Sequence, residues 1–373
     1  MPSGLSARER VLRALAIEEV DRVPVLFWGV DPFTERWMAR EPSYAPLLDL
    51  IRRECEIKRQ WWPTLREGQL FYSGIPVTVA VRRHMVNGLI GLESIVQTPL
   101  GELRSVRRQV PRTCIEAQIE SYIKDEGDVE KFRSLPYAPL QPDVRSYFTA
   151  EAELGTCGVV THRVLTPLGL VCQLVDGETL SVWTRTARPL VVKLLEEAAE
   201  RIGAYLRHLL ENGVKPVFIL EGAERATPPM MSPKDFAEFA AAYDRPLLAL
   251  LRSHGAKAIV HCHGNLRQVL GEIAATAPDG LHPVEEPPFG DTRLEEARRI
   301  CGGKVCLVGG LQIAEMYDRG EAEIRERIRD IRSRIDVTAG FILTTSATPY
   351  EVPLRATTLR NYAAAIEEIR AKQ

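Results

Sequence analysis

The sequence has no Cys-x-x-Cys pair, no dinucleotide-type glycine fingerprint, no block of lysines and arginines, and no apolar run near the ~20 residues of a membrane span. Each absence closes off a class. Without paired cysteines there is no ribbon-type zinc site and no thioredoxin-like redox motif. Lys+Arg 48 against Asp+Glu 50 gives a net charge of −2, which argues against nucleic acid as the main partner. The opening stretch from Met1 to Leu12 is charged and lacks a signal-peptide core, so a cytoplasmic protein with no membrane partner is expected. Cys55, Cys114, Cys157, Cys172, Cys262, Cys301 and Cys306 are scattered and odd in number, which fits free, mostly buried thiols in a reducing compartment. The hydrophobic share of 45% and charged share of 26% exclude a disordered chain.

What is present is an alternation. Ser6, with Glu9 three residues on, predicts a capped helix to Ala16. Residues 22–29 read as a buried strand, 43–60 as a helix, and 77–108 as hairpins, with a turn at Asn87-Gly88 and another from Thr98 to Gly101. After about residue 157 short apolar strands (159–164, 217–220, 258–261, 280–284, 305–308, 340–344) alternate with helices (187–211, 232–253, 266–275, 292–300, 321–334, 354–371). Apolar strands without polar alternation are buried on both faces, as in a parallel sheet wrapped by helices. The expected fold is α/β, a single (β/α)8 TIM barrel over residues 1–373. Residues 1–150 would form an extension with β-hairpins and 151–373 the main β/α run.

In such a barrel the site lies at the C-terminal strand ends. That rule selects Trp28, Asp31, His162, Arg163, Glu221, Glu224, residues 261–265, 282–286 and 309–312, and the stretch from Thr344 to Glu351. The sharpest feature is His261-Cys-His263. Residues two apart on a strand point the same way, so two imidazoles share one face. They would hold a metal with a carboxylate as third ligand, Glu285 first among Glu221, Glu286 and Glu351. Alternatively they bond backbone or carboxylates, or take an anionic substrate. Glu285 and Glu286 stand in a stiff loop among prolines, read either as one facing the mouth and one solvent or equally as a solvated acidic loop. Glu221, before Gly222, is a candidate base or ligand. Trp28, Arg163, Asn265, Gln312 and Tyr350 are candidate substrate contacts, while Trp28 and the pair Trp61-Trp62 equally suit core packing. Cys172 and Cys262 read as structural thiols.

Several segments together resemble the uroporphyrinogen decarboxylase superfamily. They are Pro99-Leu-Gly101, Leu220-Glu-Gly222 followed by Met231-Ser-Pro-Lys-Asp235, His261-Cys-His-Gly264, Val305-Cys-Leu-Val-Gly-Gly310 and Gly340-Phe-Ile-Leu343. The resemblance runs from about Ser6 to Ile369 and implies a (β/α)8 barrel. True uroporphyrinogen decarboxylases carry an arginine-rich stretch after the first strand, where this chain reads Phe27-Trp-Gly-Val-Asp-Pro-Phe33. Their catalytic aspartate falls on Gly74 within Tyr72-Ser-Gly-Ile75. A porphyrinogen with many carboxylates needs those groups, so its decarboxylation is not expected. The chain is more similar to the cobamide-dependent methyltransferase branch of coenzyme M type. There a His-x-Cys-Gly motif plus a later Cys holds zinc, and a corrinoid (cobalamin) protein is the partner. Here His261 keeps the His, His263 replaces the first Cys, and Ala347 replaces the second.

The resemblance thus implies a corrinoid-linked methyltransferase acting on a small one-carbon donor or acceptor. His261, His263 and Glu285 would be zinc ligands, and Glu221, Glu285, His261 and His263 the catalytic groups. The alternatives are a lyase decarboxylating a small acid, with Arg163 as its anchor, and a non-catalytic ligand-binding barrel. A homodimer is the expected assembly by analogy with true decarboxylases.

Overall fold

A computed structural model describes residues 4–33, 37–113 and 115–371, and Cys114 lies outside them. Seven strands form a curled, all-parallel sheet: β1 (Ile57–Gln60), β6 (Gly158–Leu165), β7 (Val217–Glu221), β8 (Lys257–His261), β9 (Gly280–His282), β10 (Cys306–Leu311) and β11 (Phe341–Thr345), in that spatial order. Between β1 and β6 in sequence, β2 (Val79–Val86), β3 (Leu89–Thr98), β4 (Gly101–Gln109) and β5 (Glu116–Glu120) make a separate antiparallel sheet. This is the hairpin excursion expected from Asn87-Gly88, where both turn residues have positive φ.

The two edges of the parallel sheet meet one segment. Leu26 donates its N–H to the Leu343 carbonyl, Leu343 donates to Pro24, and Glu56 donates to Val25, so residues 24–26 touch both β11 and the start of β1. The expected strand at 22–29 is reduced to a single bridge between Val25 and Leu343. Pro24 has no N–H to extend a ladder. The expected helix over 43–60 is also corrected: the helix Ala45–Glu54 stops, and residues 57–60 pair with β6 as β1. Ile57-Lys-Arg-Gln60 carries no strand signature. Its burial beside β6, with Ile57, Lys58 and Gln60 all buried, overrides local propensity.

Val159, Val217, Ile259, Val308 and Ile342 form a cluster with Val11, Ala14 and Leu15 of the helix Ala7–Leu15. That helix starts with the expected capping box, Ser6 and Glu9 bonding each other's backbone. Wrapping helices form the larger outer core. No described helix is long and apolar enough to cross a membrane.

The helix from Ser232 to Ser253 contains one wide turn, Ala237–Ala241, followed by Asp244, which is 4% exposed. Its Oδ1 has no hydrogen-bond partner among the described residues. Burial, with Glu224 adding repulsion, raises its pKa to about 8. The acid is protonated in both states at low pH. As pH rises from about 4 to about 8 the unfolded chain loses the proton and the folded chain keeps it, so stability falls across that window. Asp244→Asn should flatten this slope, recovering on the order of 4 kcal/mol near pH 7. Urea unfolding at pH 5, 7 and 9 measures it; parallel slopes in both proteins would refute the assignment.

Candidate functional site

Three histidines converge where β8 and β9 end. His261 and His282 are opposite each other in the parallel register, and His263 follows His261. Their rings are ordered by stacking. Trp28 lies flat over His282, with centroids 3.6 Å apart at 8°, and over His261 at 5.0 Å and 7°. Lys58 stands over the Trp28 ring at 4.4 Å. Trp28 is buried and serves as the floor of the site rather than as an open substrate contact.

The hydrogen bonds settle the tautomers. The Thr345 carbonyl can only accept, so His282 Nε2, at 3.1 Å, carries the proton. Burial keeps both His282 and His261 well below the usual imidazole pKa, so each ring is neutral. His282 Nδ1 is then a bare acceptor, and His261 Nδ1, 2.8 Å away, donates to it. His261 Nε2 is left with a lone pair. His263 is the opposite case: its Nδ1–H donates to Glu285 Oε2 at 3.0 Å. Burial opposes its charge, but the Glu285 carboxylate outweighs burial and raises its pKa. The rings of His261 and His263 meet edge to face at 4.8 Å. A neutral acceptor and a proton-rich donor thus stand side by side.

Glu221 lies across the register from His261, at the end of β7. Burial raises its pKa and Arg163 counters that, bonding Glu221 Oε2 through Nε at 2.7 Å and through Nη2. Gly222, next in sequence, has φ +119, and a Cβ there would lie 2.2 Å from the Gly169 Cα, so the chain turns where no side chain fits.

Among the expected metal ligands, Glu285 serves as the hydrogen-bond partner of His263, its Oε2 accepting from His263 Nδ1 and from the Gly264 N–H. Ala347 offers no donor, and no three His, Cys, Asp or Glu side chains among the described residues converge as a metal site. Two imidazole nitrogens do not make a zinc site, which needs at least three protein donors. Burial pushes the Cys262 thiol well up and raises Cys172 to about 12, so neither stands as a ready thiolate.

Other expected site residues are engaged elsewhere. Glu286 pairs with Arg327 and Arg334, so only one of the two adjacent glutamates faces the histidines. Gln312 is buried just before the helix Ile313–Asp318, its backbone N–H donating to Glu315 Oε2 at 3.1 Å. Tyr350 is exposed, its N–H donating to the Tyr317 hydroxyl. Glu351 accepts from Thr358 and from the Arg355 backbone. His162 is held by Trp61 O and the Tyr205 hydroxyl, and burial lowers its pKa to about 4. Asn265 is half-buried in the loop after β8. The residue sequence reasoning undervalued is His282. A His-Pro pair ending a strand level with an HxH motif was the available signal.

The uroporphyrinogen decarboxylase (URO-D) family model matches residues 112–370, more than two thirds of the chain. No curated protein matches the sequence. Among solved structures, the fold is similar to a methyltransferase from Methanosarcina mazei at 15% identity, covering 99% of this chain and 100% of that one with a TM-score of 0.63. It is also similar to a B12-independent methionine synthase from Shewanella sp. W3-18-1, at 14% identity over 68% of this chain and 71% of that one, with a TM-score of 0.45. At such identity the first likeness concerns the fold. The family's arginine-rich stretch is absent here, and Gly74 cannot carry the catalytic acid of true decarboxylases, because a Cβ there would sit 2.6 Å from the Pro139 carbonyl oxygen. With these departures, the chain belongs to the uroporphyrinogen decarboxylase family.

Proposed function

We propose that this protein is a methyltransferase-like enzyme of the family, moving a methyl group from a small donor by acid–base assistance at the strand-end histidines. The observation that carries the reading is the ordered imidazole pair: His261 with a bare Nε2, His263 held proton-rich by Glu285. When the bond between methyl carbon and donor heteroatom breaks, that heteroatom needs a proton. His263 Nε2–H supplies it, and Glu285 stabilises the ring while it holds the charge. His261 Nε2 accepts a hydrogen bond from the donor molecule and orients it. No step runs through zinc, because the donor set does not fit.

The methyl group's acceptor in this reading is a corrinoid held by a partner protein. Exposed Phe33, Trp62, Leu65, Met230, Phe289 and Tyr350 support a docking face, since all stand in loops after strands or strand-like segments that end at the site.

The test combines the protein with reduced cobalamin and a panel of small methyl ethers, methylamines and methyl thioethers. Formation of methylcobalamin and release of carbon dioxide from small acids are measured side by side. Methyl transfer lost in His263→Gln supports the proposal. Carbon dioxide release without methyl transfer would make the protein a lyase, with Arg163 as the carboxylate anchor. Neither activity would leave a binding barrel. In an active enzyme Glu285→Gln removes the group that raises the His263 pKa. The protonated ring is the active form, so the alkaline limb of the rate profile should move to lower pH.

A further inference from the structure

A cavity of about 300 Å³ opens beside the Arg163–Glu221 pair, at the ends of β1 and β6. Its walls are apolar and largely aromatic: Trp62, Phe71, Tyr72, Leu140 and Leu170. Phe71 and Tyr72 are consecutive residues with φ of +52 and +56, a conformation that bulky side chains rarely adopt. Surrounding contacts hold it. Arg201 donates to the Phe71 carbonyl at 3.2 Å, and the Leu165 N–H at the end of β6 donates to the Tyr72 hydroxyl oxygen at 3.0 Å. The unusual turn aims two successive rings into one space, which ordinary alternation along the chain would not do.

The polar end of the cavity offers donors. Arg163 directs Nε and Nη2 at Glu221, and its Nη1 has no acceptor among the described residues. The Tyr72 oxygen accepts from Leu165, so its own O–H is left to donate, and it too has no acceptor among the described residues. The volume is at the small end of ligand pockets, enough for one ring and its substituent and far too little for a tetrapyrrole.

We propose that this cavity is the recognition pocket for a small aromatic molecule carrying one oxygen acceptor, its ring against Trp62, Phe71 and Tyr72 and its oxygen on Arg163 Nη1 and the Tyr72 hydroxyl. This rests on reading the strand ends as the reaction centre, because Arg163 and Glu221 join the pocket to His261. The acceptor is a carboxylate or a neutral carbonyl or ether oxygen; the chemistry shared is a ring with one acceptor.

The test is calorimetric binding to the full chain with four probes and no corrinoid. Benzoate and benzamide carry ring and acceptor, toluene the ring alone, and acetate the acceptor alone. Saturable one-to-one binding of benzoate or benzamide, at least tenfold tighter than either partial probe, is expected. Benzoate ahead of benzamide assigns an anionic ligand, and the reverse a neutral one. Trp62→Ala removes an exposed wall residue without touching the core and should weaken the preferred probe about tenfold with an unchanged melting temperature. Acetate or toluene binding as well as the ring-bearing acceptors, no saturation at ~10 mM, or wild-type affinity in Trp62→Ala would each overturn the proposal. Because nothing is turned over, failure here leaves the acid–base reading standing, and a missing methyl transfer leaves the pocket standing.

Discussion

His263→Gln is expected to lower turnover by about 10²- to 10⁴-fold, the range for losing a positioned general acid, with KM changed only a few-fold. Glutamine keeps a hydrogen-bonding side chain of similar reach but cannot deliver a proton. The His263 side chain is about one-third exposed (35%), so its loss opens no cavity in the core. The melting temperature should therefore stay within a few degrees of wild type. His282→Gln is an informative companion. His282 makes no contact expected with substrate, but it is the ring that holds His261 with its proton on Nδ1. Freed from that bond, His261 populates both tautomers, and the rate falls without the pH profile taking the shape seen for Glu285→Gln. Steady-state kinetics across pH separates the two. Full activity in His263→Gln would remove the general acid from the mechanism.

Glu56→Ala is expected to be the most destabilising single change, at about 3–5 kcal/mol, with a melting temperature lower by on the order of 10 °C. The Glu56 side chain is completely buried and takes three donors: Arg10 Nη1 at 2.7 Å, Arg22 Nη2 at 3.0 Å and the Val25 N–H at 2.7 Å. Removing it strands the Arg10 guanidinium, itself 5% exposed, with Asp21 as its remaining carboxylate. It also frees the Val25 N–H in the segment that touches both sheet edges. A buried pair replaced whole by apolar residues can be neutral, but one partner left alone is costly. Glu56 precedes β1, at the strand end opposite the histidines, so turnover per folded molecule should be unchanged. Denaturant unfolding with activity measured on the folded fraction checks both halves. A loss under 1 kcal/mol would show that Arg10 finds another partner.

The sheet was legible because its rule is local. Six apolar strands after residue 157, spaced by amphipathic helices, appear as β6 to β11 within a few residues of expectation. The helix over 321–334 matches its expected bounds, and the Ser6 and Ser232 caps bond as the capping rule requires. β1 escaped because Ile57-Lys-Arg-Gln60 becomes a strand only when β6 offers its edge. The first apolar segment was overestimated because proline limits its hydrogen bonding, not its hydrophobicity.

For the candidate site, the strand-end rule and the two-residue spacing of His261 and His263 were enough to pick out two of the three histidines that meet at the ends of β8 and β9. They did not assign partners. Glu221, Glu285 and Glu286 are equivalent carboxylates on paper. The fold gives one to Arg163, one to His263, and one to Arg327 and Arg334. His282 becomes the tautomer-setting ring only because β8 and β9 lie side by side in register, and Tyr72 reaches the end of β6 through a left-handed turn. The sequence by itself determined the alternation of elements, the helix caps and the face that holds the histidines, because each depends on neighbours a few residues away. The tertiary structure alone decided which nitrogen is bare, which partner each carboxylate takes and which rings share a cavity, because those depend on side chains from different strands meeting within hydrogen-bond distance.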